Sequence, residues 1–236
     1  METGAIAGNL KKLLARIEDR CVANGRNPDQ IKVVGVSKTV SASMVREAVL
    51  AGLTDCGENK LQEGIEKIKA VSPGPIWHFV GHLQRNKARK AVEYFDVIQS
   101  VDNLELAAII SKRALELNKE MEVYLQLNST GEKQKKGFYF AEILDNADKI
   151  NKLPGLKLTG LMTIGPFTED ENPIKKSFSL TKEVFDKLQA KIGGGFNWLS
   201  MGMSGDFEIA LDYGANVLRI GTAIFGPRTI LKEGER

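Results

Sequence analysis

The arrangement that most restricts this chain is an alternation. Eight short apolar runs recur along it: IKVVGVSK (31–38), LTDCGEN (53–59), IWHFVGH (76–82), DVIQSV (96–101), MEVYLQLN (121–128), LKLTGLMTI (156–164), NWLSMGM (197–203) and ANVLRIG (215–221). Several are nearly continuous in apolar residues, the pattern of parallel strands covered on both faces. Helical periodicity fills the gaps. Strands that alternate with helices pair in parallel through right-handed crossovers, so the chain belongs to the α/β class. Eight such units in 236 residues match a single closed (β/α)8 barrel. The competing open, doubly wound sheet wants a glycine-rich turn after its first strand, and VSKTVSAS offers none.

The helices mark their own ends. Ile6, Leu10, Leu13, Ile17 and Cys21 are spaced by three or four and share one face, which predicts an extra helix ahead of the first strand. Ser41 precedes Met44, Val45, Ala48 and Val49 at helical spacing, with Gly52 as the stop. Asp102 and Glu105 read as a capping-box-like start to a helix through Leu117. Asn172 before Pro173 reads as an N-cap with proline at the first helical position. Phe207 to Tyr213, closed by Gly214, predicts a short helix before the last strand. No linker or low-complexity segment interrupts this order, and the ten residues after Gly226 are too few for another core. One domain over residues 1–236 is expected.

Composition narrows the class. A 42% hydrophobic content supports one large core. A net charge of +3 is too small to argue for nucleic acid. Cys21 and Cys56 form no CxxC and no disulfide framework, as in a reducing compartment. Charges thread through METGAIAGNLKKLLARIEDR, unlike a secretory signal. No run approaches the roughly 20 apolar residues of a membrane span. The expectation is a soluble cytoplasmic protein with no nucleic-acid or membrane partner.

In such a barrel the site lies at the C-terminal ends of the strands. Those ends present Lys38, Glu58 and Asn59, His82, Asn128, Met162 to Ile164, Met203 and Ser204, then Arg219, Gly221 and Thr222. Lys38 closes a buried strand. Partial desolvation there lowers an amine's pKa and frees a nucleophile that can form a Schiff base with an aldehyde. The bland alternative is a lysine whose stem packs while its head reaches water. MGMSGDFEIA and LRIGTAIFG then place Ser204, Gly205, Gly221 and Thr222 in the loops after strands 7 and 8, where barrels frequently bind phosphate. Each glycine alone could serve only a tight turn. A lysine and an anion loop across one barrel mouth together suit an aldehyde that carries a phosphate, and pyridoxal 5'-phosphate is the common cofactor with both handles.

The sequence resembles the pyridoxal-phosphate homeostasis proteins, the YggS/PROSC family, almost end to end. The carriers are VVGVSKT, GENKLQE (57–63), WHFVGHLQRNKAR (77–89), SVD (100–102), GLMTI (160–164), LSMGMSGDFEIAL (199–211) and VLRIGTAIFG (217–226). The resemblance implies a TIM barrel similar to the N-terminal domain of alanine racemase. It implies Lys38 as the Schiff-base lysine, and phosphate contacts from Ser204, Gly221 and Thr222 with Met203 and Gly205 close by. It implies Arg219 facing the pyridine ring and Asn59 near the cofactor. Gly205 stands where many members carry an acidic residue.

The resemblance also implies a role in intracellular vitamin B6 homeostasis, with pyridoxal-phosphate-dependent apoenzymes as candidate recipients. A guanidinium near the ring nitrogen gives up no proton, so the cofactor's electron sink would be weak. Racemisation needs a base on each face of the substrate Cα. Racemases of similar fold take the second, a tyrosine, from a further domain of a partner subunit. This chain holds no such domain, and Tyr94, Tyr124, Tyr139 and Tyr213 supply no evident substitute. The expected protein is a monomeric, non-catalytic carrier with no catalytic residue. A pyridoxal-phosphate-dependent amino-acid racemase is the enzyme alternative, and a barrel forming a Schiff base with a sugar or aldol substrate is a more distant one. His78 and His82 lack partners at metal-ligand spacing; His82 is assigned to the mouth and His78 to packing. QRNKARK (84–90) reads as a solvated face and GEKQKKG (131–137) as an exposed loop at the mouth. Met162, Met201 and Met203 read as core and rim packing.

Overall fold

A computed structural model describes residues 4–71 and 73–227, so the expected domain span of 1–236 runs past the described residues at both ends. Along the chain the elements are α1 (Ala5–Ala23), β1 (Lys32–Val36), α2 (Ala42–Leu50), β2 (Asp55–Glu58), α3 (Leu61–Ala70), β3 (Ile76–Phe79), α4 (Ala88–Tyr94), β4 (Val97–Val101) and α5 (Leu104–Glu116). They continue as β5 (Met121–Leu127), α6 (Phe140–Asn151), β6 (Leu156–Thr163), α7 (Glu171–Ile192), β7 (Trp198–Ser200), α8 (Phe207–Asp212), β8 (Val217–Ile220) and α9 (Thr222–Phe225). The eight strands pair in parallel in chain order, and β1 closes on β8 with Val34 opposite Arg219. Every predicted run contains its strand, and the barrel is closed as expected.

Two apolar regions hold it. The larger lies between the outer faces of the strands and the helices, and contains Cys56, Trp77, Phe79, Ile98, Val123, Leu161 and Leu218. The smaller fills the lower lumen with Val34, Val97, Tyr124, Met162 and Val217. Successive strand residues point to opposite faces, so the strands are apolar outward and mixed inward. α1 buries Ile6, Leu10, Leu13, Ile17 and Cys21, the predicted face. Its far end is tied to α8: Arg20 pairs with Asp212, and Arg26 donates to the carbonyls of Leu211 (2.7 Å) and Ala215 (2.8 Å).

The helix ends correct the sequence reading in two places. Ser41 caps α2 as expected, its hydroxyl accepting from the Met44 amide. α5, however, is capped by Asn103, whose side chain accepts from the Leu106 amide at 2.8 Å. Asp102 turns toward His82 instead. α7 starts two residues earlier than Asn172 would place it. Asp170 caps it through the Asn172 amide, and Pro173 sits third, where the first turn still asks for no amide donor.

Candidate functional site

The inward periodicity of the strands delivers side chains to one mouth. On β1 the series runs Val34, Val36, Lys38, from the lumen to the rim. On β8 it runs Val217, Arg219, Gly221. All eight residues expected at the site, Lys38, Asn59, Met203, Ser204, Gly205, Arg219, Gly221 and Thr222, line one cavity of about 210 Å³, with Val36, Val80 and Ile164 completing its wall. The last three are apolar strand-end residues; Ile164 was legible as the end of its strand, the two valines only as strand.

The wall carrying Lys38 is braced from behind by buried charge. Lys67 on α3 donates to Glu58 at 2.7 Å and to Glu63 at 2.7 Å, and also to the Ser37 carbonyl. The Ser37 hydroxyl donates to the same Glu58 oxygen, and Glu63 accepts from the Thr39 amide at 2.6 Å. Burial pushes the Glu58 carboxyl above its usual range, against the hydrogen bonds from Lys67 and Ser37. Neighbouring Cys56 is pushed up to about 12, by burial first and then by Glu58 and Asp55, so its thiol is inert. Asn59 closes β2. Its Oδ1 is buried and has no hydrogen-bond partner among the described residues. Gly81 packs directly on it: a Cβ there would stand 2.2 Å from the Asn59 carbonyl oxygen.

The opposite wall is made of turns. Gly202 holds φ +91°, and a Cβ on it would stand 2.6 Å from that of Ala210. Asp206, unnoticed in the sequence reading, folds back to accept from the Met203 amide at 2.5 Å. Burial raises its carboxyl despite that bond and the Arg219 charge. Ser204 Oγ accepts from the Ala223 amide at 3.2 Å, which ties the loop after β7 to the loop after β8. Gly205 lines the cavity and has room for a side chain, since a Cβ there would meet no atom within 4 Å.

Beneath the cavity lies a chain of hydrogen bonds that reaches the bottom of the lumen. Arg219 donates through Nη1 to Ser200 Oγ at 2.7 Å and through Nη2 to the Thr163 carbonyl at 2.6 Å. Ser200 donates to Gln99 Oε1 at 2.7 Å, and Gln99 Nε2 lies 2.9 Å from His78 Nδ1. An amide nitrogen only donates, so Nδ1 accepts. His78 therefore carries its proton on Nε2, 2.8 Å from Asp55 Oδ1. His78 is thus a structural group of the lumen, in line with its assignment to packing. Burial raises the Asp55 carboxyl, but the hydrogen bonds from His78 and Thr54 and the Lys32 ammonium outweigh it, and the net shift is downward. Burial lowers Arg219 to about 10, so it remains a cation at neutral pH.

A second recess of about 180 Å³ adjoins the first and shares Val80 and Ile164 with it. His82, Asn128, Lys135 and Lys136 line it. The loop expected at the mouth is pinned there, since Asn128 Nδ2 donates to the carbonyls of Glu132 and Lys135. A wider recess of about 590 Å³ lies on the outer surface beside α4. The basic run borders it, and there Arg85 pairs with Glu105 and Arg89 with Glu116. Among the described residues no tyrosine lines the Lys38 cavity: Tyr124 is buried in the lower lumen, and Tyr139 stands exposed at the start of α6.

Comparison with known proteins then decides the relationship. Residues 5–229 match the family model for the alanine racemase N-terminal domain. A Pseudomonas aeruginosa pyridoxal phosphate homeostasis protein is 40% identical over 224 residues, 94% of this chain and 96% of its own. The chain belongs to the pyridoxal phosphate homeostasis family. The Escherichia coli K12 member is 37% identical over 236 residues, with 97% of this chain and 99% of its own covered. Among solved structures, PipY of Synechococcus elongatus with PLP bound superposes with a TM-score of 0.81 at 33% identity, covering 94% of this chain and 100% of that one. An alanine racemase of Clostridium difficile shares the fold, with a TM-score of 0.75 at 18% identity, and this chain spans 57% of its length.

Proposed function

We propose that this chain, as one domain over 1–236, binds pyridoxal 5'-phosphate through a Schiff base on Lys38 and serves cytoplasmic vitamin B6 homeostasis as a monomer without catalytic turnover. The observation that carries this is the convergence of Lys38, Arg219, Asn59 and the Met203–Gly205 and Gly221–Thr222 loops on one cavity. The residues fit such a group. An amine stands across from hydroxyls and glycine turns. The unpartnered Asn59 oxygen and the Arg219 cation border the space between them. The PLP-bound PipY structure and the names of the relatives support the same reading.

Bound there, pyridoxal phosphate supplies an aldehyde and an electron-withdrawing ring. Lys38 would add its neutral amine to the aldehyde carbon, with C=N formed and one water released. Ser204, Thr222 and the turn amides would hold the phosphate. Arg219 would face the ring as a donor-only group, leaving a ring nitrogen unprotonated. Among the described residues no tyrosine lines the Lys38 cavity, which supports a carrier over a racemase that takes its second base from a tyrosine. Dependent apoenzymes are the proposed recipients.

Borohydride reduction of the protein with pyridoxal phosphate, followed by mass spectrometry, should add a pyridoxyl group at Lys38 and none in Lys38→Ala. An adduct elsewhere would refute the binding mode. Racemisation of alanine or serine at ordinary enzymatic rates, lost in Lys38→Ala, would refute the carrier role.

A further inference from the structure

The structure assigns a positioning role to Lys67 and Glu63, with Glu58 as their buried anchor: together they fix the backbone on both sides of Lys38 and so set where its amine stands. The inference rests on the reading of Lys38 as the Schiff-base lysine.

A residue's φ and ψ are the rotations between the two peptide groups that flank its Cα. Before Lys38, the Ser37 carbonyl accepts from Lys67 Nζ and from the Val40 amide (2.9 Å). After Lys38, the Thr39 amide donates to Glu63 Oε1 at 2.6 Å. Lys67 and Glu63 are one turn apart on α3 and joined to each other at 2.7 Å. One helix face therefore grips both planes. The Ser37 amide is bound in turn to the Gly57 carbonyl at 3.0 Å, and its hydroxyl to Glu58.

Two further observations show that this is more than packing. Thr39 holds φ +67°, a region that a β-branched residue occupies only when its surroundings impose it. The Lys67 side chain is nearly covered and Glu58 wholly so, an arrangement costly in desolvation for a strand end that could have been closed by apolar residues. A reactive atom at the end of a four-carbon stem is placed only as well as its backbone, and a displacement of an ångström costs a reaction heavily.

The test compares wild type with Lys67→Met, Glu63→Ala and Glu63→Gln. Three quantities are read: the rate of Schiff-base absorbance after adding pyridoxal phosphate, the acylation of Lys38 by a trace amine reagent against pH in cofactor-free protein, and the melting temperature. Glu63 is partly exposed, so Glu63→Ala keeps the fold and decides the matter if Lys67→Met does not fold. Slowing of about tenfold or more in the alanine and methionine variants, with a changed acylation profile at Lys38, is expected. Glu63→Gln, which still offers an oxygen to the Thr39 amide, should recover most of the rate. Variants that melt earlier yet keep the wild-type rate and profile would overturn the inference. If wild type itself forms no adduct at Lys38, the parent reading fails, while the acylation profile still decides whether the clamp positions this lysine.

Discussion

The two walls of the cavity are built by opposite means. Behind Lys38 the chain uses a charged cluster: Lys67 and Glu58, both buried, and the half-buried Glu63 converge on Ser37 and Thr39, the two residues that flank it. Across the cavity the work is done by glycines and hydroxyls, with Gly202 at positive φ and Ser204 tied to the next loop. On the proposed reading, the difference follows from what each wall has to present. An anion needs several donors aimed at one point, and backbone turns supply them wherever glycine lets the chain curl. An amine on a flexible stem needs its root fixed, and only side chains arriving from a neighbouring helix can clamp both adjoining peptide groups.

The comparison breaks most easily at Lys67. Lys67→Met leaves Glu58 as a buried carboxyl without its cation, and removal of one partner of such a pair costs about 3–5 kcal/mol. Urea unfolding should show that loss; a change below about 1 kcal/mol would mean water already reaches the cluster. Gly202→Ala comes next. A side chain at φ +91° with a contact of 2.6 Å has nowhere to go, and strain of this kind costs roughly 1–3 kcal/mol. It should also weaken inorganic phosphate binding, whereas Lys67→Met should not, and equal effects of both would erase the division of labour. Ser204→Ala is milder, about 0.5–1.5 kcal/mol for one hydrogen bond. Its signature is selective: affinity falls for pyridoxal phosphate and stays level for pyridoxal, measured by titration of absorbance.

The two walls were also unequally legible. Strand runs, the terminal helix face and the glycine motifs after strands 7 and 8 announce themselves through period and spacing. Lys38, Arg219 and the turn residues could therefore be read as strand-end and loop positions of one mouth, and they line one cavity. The clamp was not visible. In KLQEGIEKIKA, Glu63 and Lys67 look like an exposed i,i+4 pair, and nothing local says that α3 turns that face toward the end of β1. Asp55, Gln99 and Ser200 were missed for a related reason. Within near-apolar runs they read as lapses in a buried strand, and only barrel closure shows that the inward side is a hydrogen-bonded column under Arg219. The cap errors at Asp102 and Asn172 have a smaller cause: neighbouring Asx residues compete for one cap, and backbone geometry selects Asn103 and Asp170.

The smallest effect sets one carboxyl from each wall against the other under acid. At Glu63 burial raises the pKa, but the bonds from Lys67 and the Thr39 amide win and the net shift is downward. A lowered folded-state pKa means stability present above the unfolded value, near 4.3, and lost as pH falls through the folded one. At Asp206 burial prevails and the net shift is upward. The folded state then takes up its proton first, so the ionised carboxylate costs stability at neutral pH, and the cost is relieved as pH falls toward about 3.9. Asp206→Asn keeps an oxygen for the Met203 amide and removes the charge. It should unfold at higher denaturant than wild type at pH 7, with the advantage vanishing near pH 4. Glu63→Gln should do the reverse, weaker than wild type at pH 7 and converging with it in acid. Parallel pH series in urea test the pair, and curves that shift in the same direction for both variants would show that the walls do not differ in how they hold their charge.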